Sequence, residues 1–407
     1  NFAIDAATGA RVWANGSDVG KDLRTAVFGG GASYADGRLY ATNGTGEVFA
    51  LDAATGSQLW KVKPAGPLRG APTIAFGGVY VISQDNQLYA LNAATGEVLW
   101  RYDPRAPEQA GERMRAAWGI RGIAYWDGKI YTGTVDGRLI AIDADNGREL
   151  WSVMTLEEND GRYISGPPQV FNGKVVIGHG GGDFAPVRGY VTAYDADNGR
   201  QLWRFYTVPG NPADGFENDA MRMAAETWTG EWWRYGGGGT VWHAMTYDER
   251  YNRLYIGTGN GTPWNQKIRS PEGGDNLFLC SIVALNADTG EYEWHYQVNP
   301  GESWDFNAAM DMQLADLTIA GRPRKVLITA PKNGFVYVLD RATGAWTTIA
   351  SSSSVGFNYV IPAAEGELFR VTTTVTTDGK AEGWQVAAAP NPDPARFEKD
   401  IAAFEAQ

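Results

Sequence analysis

The feature that most constrains this chain is a short motif that recurs along most of its length. The motif is an apolar-x-apolar run, an Asp or Asn, a small-residue turn ending in Gly, and then a Trp. Its copies end at Trp13, Trp60, Trp100, Trp151, Trp203, Trp294 and, more weakly, Trp346. Successive Trp residues lie 47, 40, 51, 52, 91 and 52 positions apart. Such a period predicts a repeat architecture in which each unit packs on its neighbours.

Each copy of the motif predicts a strand, a tight turn and a second strand. "LYALN" alternates with a period of two, and "AATG" or "ADNG" supplies the Asn, Asp and Gly chemistry of a hairpin. Upstream stretches such as "GGVYVISQDNQLYAL" predict two further strands. Four short strands in each unit of about 40–50 residues are typical of a β-propeller blade. The recurrent Trp residues are then expected to fill the gaps between neighbouring blades.

The sequence therefore predicts an all-β fold, an eight-bladed or seven-bladed β-propeller, as one domain over residues 1–390. The spacing of 91 predicts one repeat with a long insertion, over residues 204–240 and 262–276. Residues 391–407 are predicted to be a tail whose helix begins near Asp393, because Pro394 suits a first helical turn and Phe397, Ile401 and Phe404 share one face.

Composition excludes several classes of function. The formal net charge is −12 and no basic cluster occurs, which argues against a nucleic-acid partner, because such a surface needs clustered Lys and Arg. The single cysteine, Cys280, allows neither an intrachain disulfide nor a cysteine metal cluster. No run of 18 apolar residues occurs, so no membrane span is predicted.

Candidate functional residues lie outside the repeat pattern. Asp183, Asn260 and Asp305 are oxygen ligands in Gly-rich or turn-like stretches, which suits a hard cation such as Ca²⁺; the alternative is ordinary turn residues. Trp242 follows four glycines at 236–239 and is a candidate floor for a flat cofactor, or else another inter-blade Trp. The stretch "GTGNGT" lacks the spacing of a dinucleotide fingerprint, which excludes a nicotinamide enzyme. The three histidines, His179, His243 and His295, form no metal pair or triad and are expected to be structural.

From about residue 101 to 345 the chain resembles the pyrroloquinoline quinone (PQQ)-dependent alcohol dehydrogenases, especially the ethanol-type and lupanine-hydroxylase-like enzymes. The stretches "VRGYVTAYDADNGRQLWRFYTVPG", "LYIGTGNGTPWNQ" and "PRKVLITAPKNGFVYVLDRATG" carry the resemblance. It implies an eight-bladed propeller with PQQ on its axis and Ca²⁺ beside it. It also implies a periplasmic enzyme that oxidises a small alcohol, transfers hydride to the quinone, and passes electrons to an external cytochrome c or quinone.

The resemblance also implies roles for individual residues. Asp305 in "SWDF" corresponds to the catalytic base and, with Asp183 and Asn260, to the Ca²⁺ ligands. The implied cofactor contacts are Arg121, Ser165, Gly180, Gly181, Gly182, Thr240, Trp242 and Lys332. Trp304, beside the base, is expected to help wall a dry pocket.

Three positions depart from the family pattern. Arg115 and Ala116 stand where the family carries a vicinal cysteine pair. Asp183 stands in place of the usual Glu. Asn307 stands where lanthanide-using relatives carry an extra Asp, which favours Ca²⁺ over a trivalent ion.

Residues 1–100 instead resemble BamB, the propeller lipoprotein of outer-membrane protein assembly. This resemblance supports an alternative function, a non-catalytic propeller scaffold that binds other proteins. The Trp-rich stretch "ETWTGEWWRYGGGG" in the insertion leaves two alternatives open. Trp232 and Trp233 either cap the pocket and favour bulky apolar alcohols or belong to a packed surface excursion.

Overall fold

The computed structural model describes residues 2–5, 8–16, 30–64, 66–110, 119–157, 161–183, 185–243, 245–319, 321–333, 335–351, 359–362, 368–375 and 381–388. The predicted helix at 393–407 and the Arg115–Ala116 position lie outside these residues. No helix in the described ranges is long and apolar enough to cross a membrane.

The repeats fold as antiparallel four-stranded sheets whose strands pair in chain order. The described residues form six such sheets, with these strands: β3 (Ala32–Ala35), β4 (Arg38–Thr42), β5 (Val48–Asp52), β6 (Gln58–Val62); β7 (Thr73–Ala75), β8 (Gly78–Ile82), β9 (Leu88–Asn92), β10 (Val98–Tyr102); β11 (Ala124–Trp126), β12 (Lys129–Gly133), β13 (Arg138–Asp143), β14 (Glu149–Met154); β15 (Gln169–Phe171), β16 (Lys174–Gly178), β17 (Tyr190–Asp195), β18 (Gln201–Tyr206); β20 (Met245–Asp248), β21 (Arg253–Gly257), β23 (Ser281–Asn286), β24 (Tyr292–Gln297); β25 (Met312–Ile319), β26 (Arg322–Thr329), β27 (Phe335–Asp340), β28 (Trp346–Ser351).

Smaller elements complete the described structure. A two-stranded sheet precedes the six, β1 (Phe2–Ile4) and β2 (Arg11–Ala14), and a three-stranded sheet follows them, β29 (Tyr359–Pro362), β30 (Leu368–Val375) and β31 (Ala381–Ala388). The pair β19 (Gly237–Gly238) and β22 (Gly261–Thr262) lies within the insertion. The helices are α1 (Ala106–Ala110), α2 (Asp219–Ala225) and α3 (Gln266–Arg269), with 3₁₀ turns at Pro212–Asp214 and Trp232–Tyr235.

The first strands of consecutive sheets lie against each other from β3 to β25, which places them nearest the common centre. This arrangement confirms the all-β propeller prediction. The number of blades, seven or eight, stays a prediction, because the sheets at the two ends of the described chain have two and three strands. The long insertion is confirmed, since one sheet, β20–β21–β23–β24, lies between Trp203 and Trp294.

The conserved turn of each motif is built by its own acidic or amide residue. In the β5–β6 hairpin, Asp52 Oδ1 accepts hydrogen bonds from the backbone N–H groups of Ala54 and Thr55, at 3.1 and 2.8 Å. Gly56 then takes a left-handed backbone with a φ of 73°. A side-chain acceptor followed by glycine is what allows so short a turn, because glycine adopts this conformation without steric cost.

Each motif Trp from Trp13 to Trp294 packs on the motif glycine of the following sheet. The pairs are Trp13 on Gly56, Trp60 on Gly96, Trp100 on Gly147, Trp151 on Gly199, Trp203 on Gly290 and Trp294 on Gly344. A Cβ at any of these glycines would lie 2.4–2.8 Å from an indole carbon. The glycine is therefore required twice, for its left-handed φ and for contact with the neighbouring indole. This confirms the structural, inter-blade role predicted for these Trp residues.

The indole N–H groups add hydrogen bonds across the same contacts between neighbouring sheets, which we call seams. Trp60 Nε1 donates to Ala93 O at 3.0 Å, and Trp13, Trp100, Trp151 and Trp294 donate to the equivalent backbone carbonyls at 2.9–3.2 Å. Trp203 Nε1 is the exception, since it is buried with no hydrogen-bond partner among the described residues. Apolar side chains fill the rest of each seam, as where Ile82, Ile140 and Ile177 from three consecutive sheets join one cluster.

Candidate active site

The predicted site residues lie in two kinds of loop that meet at one end of the sheets. Loops from a fourth strand to the next first strand carry Arg121, Ser165, Thr240, Trp242 and Asp305. Loops from a second to a third strand carry Gly180–Asp183, Asn260 and Lys332. In an antiparallel four-stranded sheet these two types of loop lie at the same end of the strands, opposite the motif hairpins. The repeat itself therefore brings the residues together.

The glycine run at 236–239 brings two of these loops into direct contact. All four glycines have left-handed φ values, between 68° and 84°. The β19–β22 pairing lays this run against the Asn260 loop, where Gly239 N donates to Asn260 O at 2.8 Å. A Cβ at Gly238 would lie 2.5 Å from the same carbonyl oxygen. The glycines therefore admit the backbone that places Trp242 near Asn260.

Ten of the eleven predicted site residues line one open cavity of about 430 Å³, a size suited to a small cofactor. They are Arg121, Ser165, Gly180, Gly181, Asp183, Thr240, Trp242, Asn260, Asp305 and Lys332. Gly182 is the exception, because it lines a neighbouring cavity and its carbonyl accepts a hydrogen bond from Thr262. Tyr163, Trp264 and Asn307 also line the main cavity.

Asp305 is held by partners on both carboxylate oxygens. Lys332 Nζ lies 2.8 Å from Oδ2, and Asn307 Nδ2 donates to Oδ1 at 2.8 Å. The Asp305 backbone has a φ of 56°, in the left-handed region. For a non-glycine residue this conformation costs about 1–3 kcal/mol and persists only where the surroundings impose it.

Trp242 forms an aromatic wall of the cavity. Its Nε1 donates to Asn307 Oδ1 at 3.0 Å, so the same Asn holds both Trp242 and Asp305. His243 stacks with its ring at 5.7 Å and 19° between planes, and the Arg121 guanidinium lies 5.0 Å from the ring centroid. Arg121 in turn donates to Ser165 Oγ at 2.7 Å. An aromatic surface with a guanidinium beside it suits a flat, anionic ligand.

Asp183 and Asn260 form the opposite, oxygen-rich part of the cavity. Asp183 Oδ1 accepts hydrogen bonds from Asn260 Nδ2 at 3.0 Å and from Trp264 Nε1 at 3.1 Å. Burial, and then the nearby charge of Asp305, raises the pKa of Asp183 above its usual value, although the two hydrogen bonds oppose this. Burial together with the charge of Asp183 also raises the pKa of Tyr163 to about 12, so that hydroxyl stays neutral.

The donor set fits one hard cation but is sparse. Two carboxylates and an amide oxygen are ligand types that Ca²⁺ accepts, and a cation between them would relieve the repulsion that raises the pKa of Asp183. Within the described ranges no three or more His, Cys, Asp or Glu side chains cluster as a metal site. Asp183, Asn260 and Asp305 thus remain the candidate set, and further ligands would have to come from water or a cofactor.

One expectation needs correction. Trp304 was expected to wall the pocket, but its side chain is 81% exposed and is not among the cavity-lining residues. It lies in a loop whose direction the sequence does not specify.

Of the two alternatives for the Trp-rich stretch, the structure favours the packed excursion. Trp232 is buried in a cluster with Val208, Trp228 and Leu279, and its Nε1 donates to Pro209 O at 2.8 Å. Trp233 packs against the same cluster.

The insertion reaches the neighbouring cavity through Tyr235 instead. This cavity, of about 450 Å³, is lined by Ala185, Pro186, Tyr235 and Pro263, and it shares Asp183 and Trp264 with the main cavity. Sequence reasoning did not assign Tyr163 or Trp264 to the site. Trp264 lies inside "LYIGTGNGTPWNQ", a stretch that carries the family resemblance, and Tyr163 lies two residues before Ser165, which was the available signal. Asn307, noted as a departure from the family pattern, lines the cavity as well.

The fold and this cavity define a β-propeller with one polar and aromatic site at the loop end of its sheets. The sequence model of the family described as "Glucose/ethanol/alcohol dehydrogenase, beta-propeller domain" matches residues 67–349. The chain therefore belongs to this family of PQQ-type propellers. A second model, described as "Outer membrane protein assembly factor BamB", matches residues 2–119, in agreement with the predicted resemblance of the first hundred residues.

Individual proteins agree with the family match. Quinohemoprotein alcohol dehydrogenase ADH-IIG of Pseudomonas putida is 53% identical over 311 residues, which cover 76% of this chain and 38% of that protein. The crystal structure of quinohemoprotein alcohol dehydrogenase from Comamonas testosteroni matches with a TM-score of 0.66 and 46% identity, over 77% of this chain and 45% of that one. The chain thus spans less than half the length of these relatives.

The crystal structure of BamB from Moraxella catarrhalis matches with a TM-score of 0.54 over 93% of this chain and 86% of that one. The identity is 18%, so this similarity concerns the fold alone.

Proposed function

We propose that this chain forms the PQQ- and Ca²⁺-binding site of an alcohol dehydrogenase that oxidises an alcohol to an aldehyde or ketone. The observation that carries the proposal is the meeting of Asp305, Lys332, Trp242 and Asn260 in one cavity, although these residues lie up to 90 positions apart in sequence. A scaffold that binds other proteins has no need for such a constellation. The family and its alcohol dehydrogenase members support the same reaction class.

In the proposed mechanism, Asp305 accepts the proton of the alcohol hydroxyl. Lys332 and Asn307 hold the two oxygens of its carboxylate, so the group is oriented before substrate arrives. PQQ, when bound, supplies the acceptor for the hydride that leaves the carbinol carbon, and Ca²⁺ supplies Lewis-acid polarisation. Loss of one proton and one hydride converts the alcohol into the carbonyl product.

The other residues bind and orient. Trp242 offers its indole face to a planar ring, while Arg121 and Lys332 offer positive charge to its acidic or carbonyl oxygens. Asp183 and Asn260, together with Asp305, would hold the metal. The two electrons then leave to an external acceptor, a cytochrome c or a quinone, and the resemblance to quinohemoproteins supports a periplasmic setting.

The test is a PQQ titration of the purified chain, with Ca²⁺ and with chelator, followed by dye-linked alcohol oxidation. We expect saturable, Ca²⁺-dependent binding. Asp305→Asn should still bind PQQ but lose about 10²-fold or more in kcat, as removal of a general base does. Asp214→Asn, which alters an exposed carboxylate outside the cavity, is the matched control. Absence of PQQ binding under both conditions would contradict the proposal.

A second candidate function is a non-catalytic scaffold, and the BamB-type match over residues 2–119 is the observation that favours it. On this alternative, protein partners would bind the loops or strand edges of the first sheets. Asp305→Asn would then have no effect on partner binding, and PQQ would not bind. The same titration therefore separates the two candidates.

A further inference from the structure

Glu302 is a buried carboxylate that the proposed chemistry does not use. Glu302 precedes Asp305 by three positions in sequence and is only 2% exposed. No Lys, Arg or His nitrogen among the described residues lies within 4.0 Å of its carboxylate. A buried carboxylate without a directly bonded cation needs other donors, because desolvation penalises the charge. Burial raises the pKa of Glu302, while backbone hydrogen bonds and the nearby charge of Arg269 oppose that rise.

The donors are backbone N–H groups on both sides of Asp305. Glu302 Oε1 accepts from Phe306 N at 3.0 Å and, in a shorter bond, from Trp304 N. These bonds hold the N–H groups of the two residues that flank Asp305, the residue with the left-handed φ. The carboxylate thus accepts from backbone donors on both sides of the turn, and the Asp305 carbonyl accepts from Asn307 Nδ2 at 3.0 Å.

The same carboxylate reaches the loop that carries the candidate metal ligand. Glu302 Oε2 accepts from Gly261 N, next to Asn260, at 3.3 Å. Arg269, which is fully buried, makes a second connection between the same two loops. It donates to the backbone carbonyls of Glu302 at 2.6 Å and of Trp264 at 3.1 Å. One carboxylate and one guanidinium therefore connect the Asp305 loop with the Asn260–Trp264 loop.

We propose that Glu302 is a positioning residue, whose carboxylate fixes the left-handed turn at Asp305 and sets the distance between Asp305 and Asn260. This inference rests on the proposed function, since it concerns the placement of the base relative to the metal ligand. Glu302 itself does not line the cavity, so it acts through the backbone of its neighbours.

The experiment compares Glu302→Gln and Glu302→Asp with Asp248→Asn in the full chain. Asp248 serves as a buried control: it is also 2% exposed, accepts a hydrogen bond from Tyr255 and forms an ion pair with Arg341 at 3.3 Å, but it lies at the hairpin end of β20, away from the cavity. Because Asp248→Asn weakens a buried ion pair, it controls for a general loss of stability. The first readout is amide hydrogen exchange of the peptide over residues 300–307 in the cofactor-free chain. The second is the split between kcat and KM for alcohol after loading with PQQ and Ca²⁺.

We expect Glu302→Gln to speed exchange in the 300–307 peptide at least tenfold, and to lower kcat at least tenfold with KM changed less than threefold. Glu302→Asp should fall between Glu302→Gln and the wild type. Asp248→Asn should leave both readouts unchanged, even where its melting temperature falls as far. Unaltered exchange in Glu302→Gln, or equal effects of Asp248→Asn, would overturn the inference.

The two proposals fail in different ways. A wild-type chain that oxidises no alcohol would contradict the proposed function, while the exchange measurement would still decide whether Glu302 holds the turn. Conversely, an active wild type with an equally active Glu302→Gln would leave the proposed function standing and remove the positioning role.

Discussion

Asp183 combines its proposed role as a metal ligand with a cost to folding. Its pKa is raised because burial and the charge of Asp305 both disfavour the ionised carboxylate. For an acid whose folded pKa is raised, stability is lost as pH rises from the unfolded pKa through the folded one, and the loss persists at neutral pH. The buried Asp183 carboxylate therefore destabilises the folded chain when no cation is bound, and a bound cation would offset this cost.

This predicts opposite effects of Asp183→Asn in the absence and presence of Ca²⁺. Without metal, the variant should melt at the same temperature as the wild type or slightly above it at pH 7.5, because the disfavoured charge is gone. With Ca²⁺ its affinity should fall about tenfold or more, because one of two carboxylate ligands is lost. Thermal melts with Ca²⁺ and with chelator, together with calorimetry, measure both effects. A variant less stable without metal would contradict the argument.

At the scale of single residues, the sequence predicted which residues belong to the site better than it predicted their hydrogen-bond partners. The motif contexts of Asp305, Trp242 and Lys332 were enough to place them in one site. Asn307 joins Trp242 to Asp305 through a hydrogen bond between residues 65 positions apart in sequence. Trp264 donates to Asp183 although the two residues lie 81 positions apart. Such contacts follow from how the sheets are arranged around the centre, which no local pattern encodes.

The hairpin that closes each repeat is the element on which the fold most depends. Gly147 and Gly128 belong to the same sheet and share a φ of 74°, but only Gly147 has an indole against it, with Trp100 carbons 2.8 Å from the position of a Cβ. Gly128 has open space around it. The pair therefore separates the cost of backbone conformation from the cost of the inter-sheet clash.

We expect Gly128→Ala to destabilise the chain by about 1–2 kcal/mol, the usual cost of a left-handed alanine. Gly147→Ala should cost about 1–3 kcal/mol more, because the methyl group must displace Trp100. Urea unfolding of the two variants measures the difference. Equal losses would mean that the indole moves aside freely.

The insertion is a packed element, and four of its residues line the neighbouring cavity: Tyr235, Thr262, Pro263 and Trp264. Because Trp232 is 4% exposed inside its own cluster, Trp232→Ala should cost about 3–5 kcal/mol of stability without shifting alcohol preference. Tyr235→Ala should instead raise KM for a bulky aromatic alcohol about tenfold relative to ethanol. Tyr235→Phe, which keeps the ring, serves as the control. Steady-state kinetics with both alcohols decide between the two residues.

Across the whole molecule, stability resides in the seams between sheets, and these seams are not equal. Trp151 donates its indole N–H to Ala196 O at 3.1 Å, whereas Trp203 buries the same donor without a partner among the described residues. An unpaired buried donor carries a penalty of about 1–3 kcal/mol. The seam at Trp203, which borders the sheet with the long insertion, should therefore be the less stable of the two.

Trp151→Phe should destabilise the chain by about 1–2 kcal/mol more than Trp203→Phe, because only Trp151→Phe breaks a hydrogen bond. Both variants remove similar aromatic volume, so each is the control for the other. Denaturant midpoints give the comparison. A larger loss in Trp203→Phe would show that its indole N–H finds a partner in solution.

The propeller class, the hairpins and the single interrupted repeat followed from the spacing of the motif, its turn residues and the alternation of its strands. The sequence could not predict which Trp would lack a partner, because the acceptor is a backbone carbonyl of the following sheet and its distance depends on how the two sheets pack. It also could not predict that Trp304 turns outward, since a loop residue next to a strained Asp305 has no periodicity to orient it.

The direction of the Trp-on-Gly contacts has a consequence for synthesis. Each of these six indoles packs on a glycine that is synthesised later, so the indole lacks this contact until the following sheet has been made. The number of residues between the Trp and its glycine is 36 for Trp60 and Gly96 and 87 for Trp203 and Gly290. Of the six indoles, that of Trp203 therefore lacks its glycine contact for the longest stretch of synthesis. A chaperone that binds exposed apolar side chains would have the most time to bind there.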